Sequence, residues 1–340
     1  MTARFLRINQ IRAVIDRAYN GDTIPRMRIV SFLPSATEMV CALGLTDQLV
    51  GVTHECDYPP EVQGKPIVVT SVLPLETMTQ REIDEAVTAR LRNGQSLYQV
   101  DESLLNDLQP DIIITQDLCQ VCAPSGNELS QALKVLSKEP EILWMTPKSI
   151  SGIEDNIRIL GKATGLDERA EELIAGGRAR LESIAAQTRA LPGPPRVFCM
   201  EWLDPIYCSG HWVPELVRIA GGLDALGREG SDSVRILWDD VRKWDPEFLL
   251  VIPCGFHIDK VIAQTPKLCE YDGWAGLAAV RKRQVYAVDA NSYFARPGPR
   301  IIDGAELLAH LFYPDTFSWN GPSTAYKRVE LTEFTQTGRF

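Results

Sequence analysis

Short apolar runs alternate with amphipathic stretches through most of the chain. Arg28–Leu33 reads as a strand, and the helical spacing that follows in SATEMVCAL is ended by Gly44. Leu49–Val52 is a further strand, PIVVT (66–70) is another apolar run, and REIDEAVTARLRNG is helical. ESLLNDL predicts a helix, Gln109–Pro110 a turn, and Asp111–Thr115 a buried strand. NELSQALKVLS and EILWM (141–145) repeat the order of helix then strand. Strands alternating with helices imply a parallel sheet covered by helices.

The middle of the chain changes character. SISGIEDNIRILGKATG and residues 167–190 are strongly helical, and the second stretch spans about 36 Å as one helix. PGPP at 192–195 closes it. The first pattern then returns, with a strand at RVFCMEW (196–202), a helix in HWVPELVRIAGG, an apolar run at Asp245–Ile252 and a strand at QVYAVDA (284–290). GAELLAHLFYP is a final helix. The expected organisation is a leader (1–27), a first α/β lobe (28–148), a helical connector (149–194), a second α/β lobe (195–314) and a polar tail (315–340). The fold class is therefore α/β, two lobes joined by a long helix, with a ligand cleft between them.

Charge narrows the partners. The 340 residues carry 35 basic and 45 acidic side chains, a net charge of -10, which argues against a broad nucleic-acid footprint. No apolar run is long enough for a membrane helix, so direct membrane insertion is not expected. The leader, with IRAVIDRAY as either a short amphipathic helix or a mobile segment, lacks the h-region of a secretory signal. The chain as given is expected in the cytoplasm, and in the periplasm or outside the cell if a signal precedes it. Eight cysteines are too few for a disulfide scaffold, and in a cytoplasmic protein most would be free thiols.

In open α/β sheets ligands bind beyond the carboxyl ends of the strands. FLPSATE, THECDYPP, DLCQVCAPSGNE, WLDPIYCSGHW, PCGFH and NSYFARPGPRIIDG occupy those places. Ser35 and Ser125 each precede a glutamate by three positions, the spacing of a capping box. The helix starts they mark can also attract acidic ligand groups.

RIVSFLPSATEMVCALGLTDQLVGVTHECDYPPEV resembles the start of the periplasmic-binding-type receptors for vitamin B12 and iron-siderophores. LQPDIIITQ, HWVPELVRIAGGLDAL, WDPEFLLVIPCG and NSYFARPGPRIIDG continue the likeness in order, over roughly residues 28–311. The cobalamin-binding branch is the most similar. The resemblance implies two α/β lobes, a rigid joining helix and a ligand held between the lobes. It implies cobalamin or a related corrinoid as ligand, with any metal present as the ligand's own cobalt. It also implies aromatics over the corrin: Tyr58 from the first lobe, and Tyr293, Phe294 and Trp212 from the second, with Trp212 alternatively packing within its own lobe. A transporter or a corrinoid-handling protein is the implied partner, for uptake or intracellular handling. Glu76 and Glu215 are candidate acidic contacts for such a transporter.

Several residue types leave alternatives open. Cys119 and Cys122 fit half of a tetrahedral zinc site, a redox pair, a contact to cobalt, or structural support of their loop. His54, His211 and His257 lie in loops and are candidate metal ligands or hydrogen-bonding groups, with His211 the first choice. His310, inside a helix, reads as structural. Arg296 and Arg300 face either ligand amides and carboxylates or backbone, and Asp303 either caps the last helix or pairs with one of them. Glu55 and Asp57 suit polar ligand edges or a hydrated cleft mouth. Trp144 and Trp238 read as core or lobe-packing residues, and Trp202 as nearer the cleft. No Ser-His-Asp order, P-loop, HExxH or complete dinucleotide fingerprint is present, so no enzyme is expected. The competing readings are a siderophore or haem-like binder, and a thiol-dependent corrinoid-processing enzyme using Cys119 or Cys122.

Overall fold

The computed structural model describes residues 26–116, 133–134 and 136–329. The leader helix, Cys119, Cys122, Ser125 and most of NELSQALKVLS lie outside these residues.

The first lobe is built on six strands: β1 (Ile29–Ser31), β2 (Leu49–Thr53), β3 (Ile67–Ser71), β4 (Tyr98–Val100), β5 (Ile112–Thr115) and β6 (Glu141–Trp144). Their order is β4-β3-β2-β1-β5-β6, and only β4 runs antiparallel to its neighbour. β1 and β5 are buried at every position, which suits central strands covered on both faces. The chain moves outward from β1 through β2 to β3, and later from β5 to β6 on the other side. The switch between β1 and β5 is where such sheets open a crevice. Helices α1 (Pro34–Ala42), α2 (Gln80–Arg92) and α3 (Glu102–Leu108) belong to this half of the chain.

α4 (Ile150–Thr164) and α5 (Asp167–Thr188) form the connector. Gly165 ends α4 in the left-handed region at φ 69°, as a helix stop requires. Gly161 lets the two helices close up, since a Cβ there would stand 2.5 Å from Ala170 Cβ. The 22 residues of α5 extend about 33 Å. Ile157, Leu160, Ile174, Leu181 and Ile184 join one apolar cluster that runs from Ile29 and Met39 to Val197 and Leu308. The connector is therefore cored into both lobes.

The second lobe has β7 (Val197–Trp202), β8 (Tyr207–Cys208), β11 (Phe248–Val251), β12 (Val285–Val288) and β13 (Tyr326–Arg328), in the order β13-β12-β11-β7-β8. The short strands β9 (Gly210–His211) and β10 (Arg228–Glu229) pair with each other. Around them lie α6 (Val213–Ile219), α7 (Trp238–Trp244), α8 (Ile258–Gln264), α9 (Ala278–Arg281), α10 (Ala290–Tyr293) and α11 (Ile301–Phe312). The expected polar tail is partly structural. Residues 326–328 add β13 antiparallel to β12, and His310 holds the returning chain through Phe317 O (2.8 Å) and the Tyr326 hydroxyl (3.1 Å). A three-residue edge strand with one half-buried tyrosine is too short for sequence periodicity to reveal.

Trp144, expected in the core, is 42% exposed. It ends β6, the edge strand of the first sheet. Trp238 packs within the second lobe, stacked on Tyr271 at 4.6 Å.

Candidate interlobe ligand site

Among the described residues, the loops after β1, β2 and β12 bring the two lobes into contact. α1 begins directly after β1. Pro34 occupies its first turn and Leu33 is the N-cap, with no side-chain cap. The expected Ser35–Glu38 capping box is therefore absent. Proline suits a first helical position because its missing N–H would have no partner there. Ser35 then lies inside the helix, buried against the second lobe, and a Cβ on Gly298 would stand 3.4 Å from Ser35 O.

Glu38, freed from capping, is 2% exposed at its side chain and crosses the seam to Arg300. Arg300 Nη2 and Nε donate to its two oxygens at 2.5 and 2.9 Å, and Arg296 Nη1 stands 3.6 Å away. Burial pushes the Glu38 carboxyl up, and the bond and charge of Arg300 pull against it. Arg296, read from sequence as facing either a ligand or backbone, bonds protein here. It donates to Asp57 Oδ1 at 2.5 Å and to Glu55 O at 2.8 Å. His257 joins from the second lobe, with Nε2 2.8 Å from Asp57 Oδ2 and Nδ1 3.3 Å from Asp289 Oδ1. Hydrogen bonds to Asp289 and Asp57 raise the imidazole to about 9. Burial alone would lift Asp57, but His257 and Arg296 outweigh it and hold that carboxyl well below its usual range.

Tyr58 stands beside this network, 41% exposed, with the Arg300 guanidinium 4.1 Å from its ring centroid. One face of the ring is thus backed by a cation that Glu38 fixes in turn.

The expected second-lobe aromatics do not join it. Trp212, Tyr293 and Phe294 are 5%, 7% and 2% exposed and belong to the core cluster. Trp212 Nε1 donates to Phe294 O at 2.8 Å, which satisfies its only polar atom inside the lobe. Tyr293 packs edge-on to Trp319. A helix-start aromatic gains more from burial in its own lobe than from an open cleft.

His211 adopts a positive φ of 53° and turns its Nε2 to Asp232 Oδ1 at 3.1 Å. Burial lowers its pKa against the opposing Asp232 charge. This ring is tied to protein, and no metal-holding group of three His, Cys, Asp or Glu exists among the described residues. Asp303 neither caps nor pairs with Arg296 or Arg300; it accepts from Arg180 of α5 at 2.6 Å. Glu215 accepts from Ile150 N–H at 3.0 Å and so supports the start of α4, whereas Glu76 is fully out in solvent near Lys260. His54 points outward with Nδ1 3.3 Å from Val69 O.

A second seam was not expected at all. Between β3 and β4 the chain leaves the first lobe and lays α2 on the second. Trp202 Nε1 donates to Gln80 O (3.2 Å), and Leu203 N–H to Gln80 Oε1 (2.6 Å). Ile83 is 8% exposed inside the second lobe's own apolar cluster with Leu203, Ile206 and Phe256. Sequence offered a signal in the amphipathic spacing of Ile83 and Val87, but not the surface they would cover.

The periplasmic binding protein family model matches residues 29–292. The chain is 29% identical over 314 residues to an uncharacterized ABC transporter substrate-binding lipoprotein of Bacillus subtilis, covering 89% of this chain and 86% of that one. It is 28% identical over 287 residues to the vitamin B12-binding protein of Vibrio cholerae, covering 84% and 88%. Among solved structures, the periplasmic vitamin B12 binding protein of Vibrio cholerae superposes with a TM-score of 0.59 at 24% identity, over 86% of this chain and 98% of that one. The apo periplasmic heme-binding protein of Roseiflexus sp. RS-1 gives 0.63 at 22% identity, over 85% and 98%. The family model spans both α/β lobes and the connector between them, and the chain belongs to the periplasmic binding protein family.

Proposed function

We propose that this protein captures cobalamin or a related corrinoid between its lobes and presents it to an ABC-type membrane transporter. The observation that carries this reading is the likeness to the Vibrio cholerae vitamin B12-binding protein along most of both chains. Tyr58 supports it, as a half-exposed ring beside the seam suited to an apolar macrocycle face. Binding without turnover suits the site: the charged groups of the seam are committed to one another, and none is paired as nucleophile and base. The lipoprotein relative favours work outside the cytoplasmic membrane, which fractionation of cells producing the full chain tests.

A second reading, haem capture, comes from the heme-binding Roseiflexus protein that shares this fold. Titration of the purified protein with cyanocobalamin, cobinamide, haemin and a ferric siderophore, followed by absorbance and calorimetry, separates the two. Saturable binding of a corrinoid is the expected result, and binding of haemin alone would overturn it. Replacing Cys119 and Cys122 with serine tests their contact with the ligand, since a thiolate on cobalt would change the visible spectrum.

A further inference from the structure

The excursion between β3 and β4 has the anatomy of a moving part. Its two ends are fastened side by side. Ser71 pairs with Tyr98, and Val72 N–H donates to Leu97 O at 3.0 Å. Everything from Leu73 to Ser96 therefore projects from one two-stranded root at the lobe's edge. The helix it carries is self-supporting: Thr79 Oγ1 accepts from Glu82 N–H, while Glu82 Oε2 accepts from Thr79 N–H at 2.7 Å. A 13-residue helix is still marginal without tertiary packing. Its packing comes from the other lobe, where Leu75, Met78, Ile83 and Val87 join the second lobe's apolar cluster.

The docked face is polar at its rim. Arg81 binds Asp204 through two bonds, at 3.0 and 2.5 Å. Asp84 accepts from Arg235 at 2.6 Å and from the Tyr207 hydroxyl at 3.1 Å. Lys260 Nζ donates to Leu75 O at 2.8 Å. At the centre, Gln80 is fully buried, yet its Nε2 reaches no acceptor among the described residues. An orphaned buried donor disfavours the docked state. A single buried apolar side chain, ion pairs whose arginines are more than half exposed and an unsatisfied amide describe a contact built to release.

We propose that Leu73–Ser96 is a strap that docks shut across the lobe seam in the ligand-free protein and parts from the second lobe to admit and release ligand. The gating half rests on the reading that the seam holds the ligand; the docking half stands on the contacts alone.

Ile83→Asp places a carboxylate in the second lobe's cluster and holds the strap open, and Asp204→Asn weakens the rim while leaving the apolar centre intact. When the docked form dominates, the observed association rate scales with the open fraction. Stopped-flow mixing with cyanocobalamin and with haemin should then show association and dissociation rates rising together. The expected rise is about tenfold or more for Ile83→Asp and about twofold for Asp204→Asn, with Kd moving less than either rate. Ile83→Leu should keep wild-type rates. Unchanged association rates in both variants would overturn the gate and make α2 a fixed strut. Hydrogen exchange on the ligand-free protein reads docking separately. α2 amides should lose protection in Ile83→Asp while α5 amides keep theirs, which also shows that the variant is folded. Equal α2 protection in the wild type and Ile83→Asp would overturn docking. If the wild type binds neither probe, the ligand reading fails, and the exchange arm alone decides the strap.

Discussion

The two seams join the same lobes by opposite chemistry. At the first, Glu38, Arg296 and Arg300 are charges with almost no exposure, so each depends on the others to offset its desolvation. At the second, the centre is apolar and the charges stand at the rim, with Arg81 62% and Arg235 53% exposed. Buried pairs are costly to break one partner at a time, while rim pairs weigh little and fade with salt. The comparison separates a fixed joint beside Tyr58 from a releasable one under α2.

The largest expected effect comes from breaking the fixed joint. Glu38→Ala strands the buried Arg300 guanidinium, while Arg296 keeps Asp57 and Glu55 O, and should destabilise the protein by about 3 kcal/mol, read as a lower urea midpoint. It should also free Arg300 from its place over Tyr58. Restoring the balance with Arg300→Met in the same chain should recover part of the loss, which a double-mutant cycle would measure. Recovery of nothing would mean that the pair does not act as a unit.

Next in size is the apolar centre of the second seam. Ile83→Ala should lower the protection of α2 amides by roughly 2 kcal/mol and leave α5 untouched. If global stability fell by the same amount, the strap would be part of the cooperative core, and the contrast between the two seams would collapse.

A smaller effect separates them by pH. The imidazole of His257 is raised from 6.5 to about 9 by Asp289 and Asp57. Its contribution is complete below pH 6.5 and is lost as pH rises through 9. Because the ring is half exposed, the loss should stay below about 1 kcal/mol. Urea midpoints of the wild type and His257→Gln should converge between pH 6.5 and 9.5. A gap that widened with pH would reverse the sign and remove His257 from the joint. The smallest effect is at the rim: Arg81→Ala should cost under about 0.5 kcal/mol and vanish in 1 M salt.

Both seams show where sequence reading stops. Tyr58 and Arg296 stand at the seam, yet Arg296 bonds protein, because Asp57 lies 239 positions away in the chain and 2.5 Å away in space. Glu38 looked like half of a cap until Pro34 moved the helix start. Trp212, Tyr293 and Phe294 carry the right chemistry for a macrocycle, but apolar rings prefer a core equally well, and loop position alone does not say which side they face.

What the sequence determined by itself was everything that depends on near neighbours: the buried run IIIT of β5, the two connector helices with Gly165 between them, and the alternation that demands covered parallel sheets. Periodicity and capping act within a few residues and are written in the order of the chain. The tertiary structure alone decided which charges neutralise one another, which aromatics are core, and that α2 completes its apolar face on the opposite lobe. Those outcomes depend on distances closed across 120 to 260 residues, where burial and desolvation, not local pattern, select the partner.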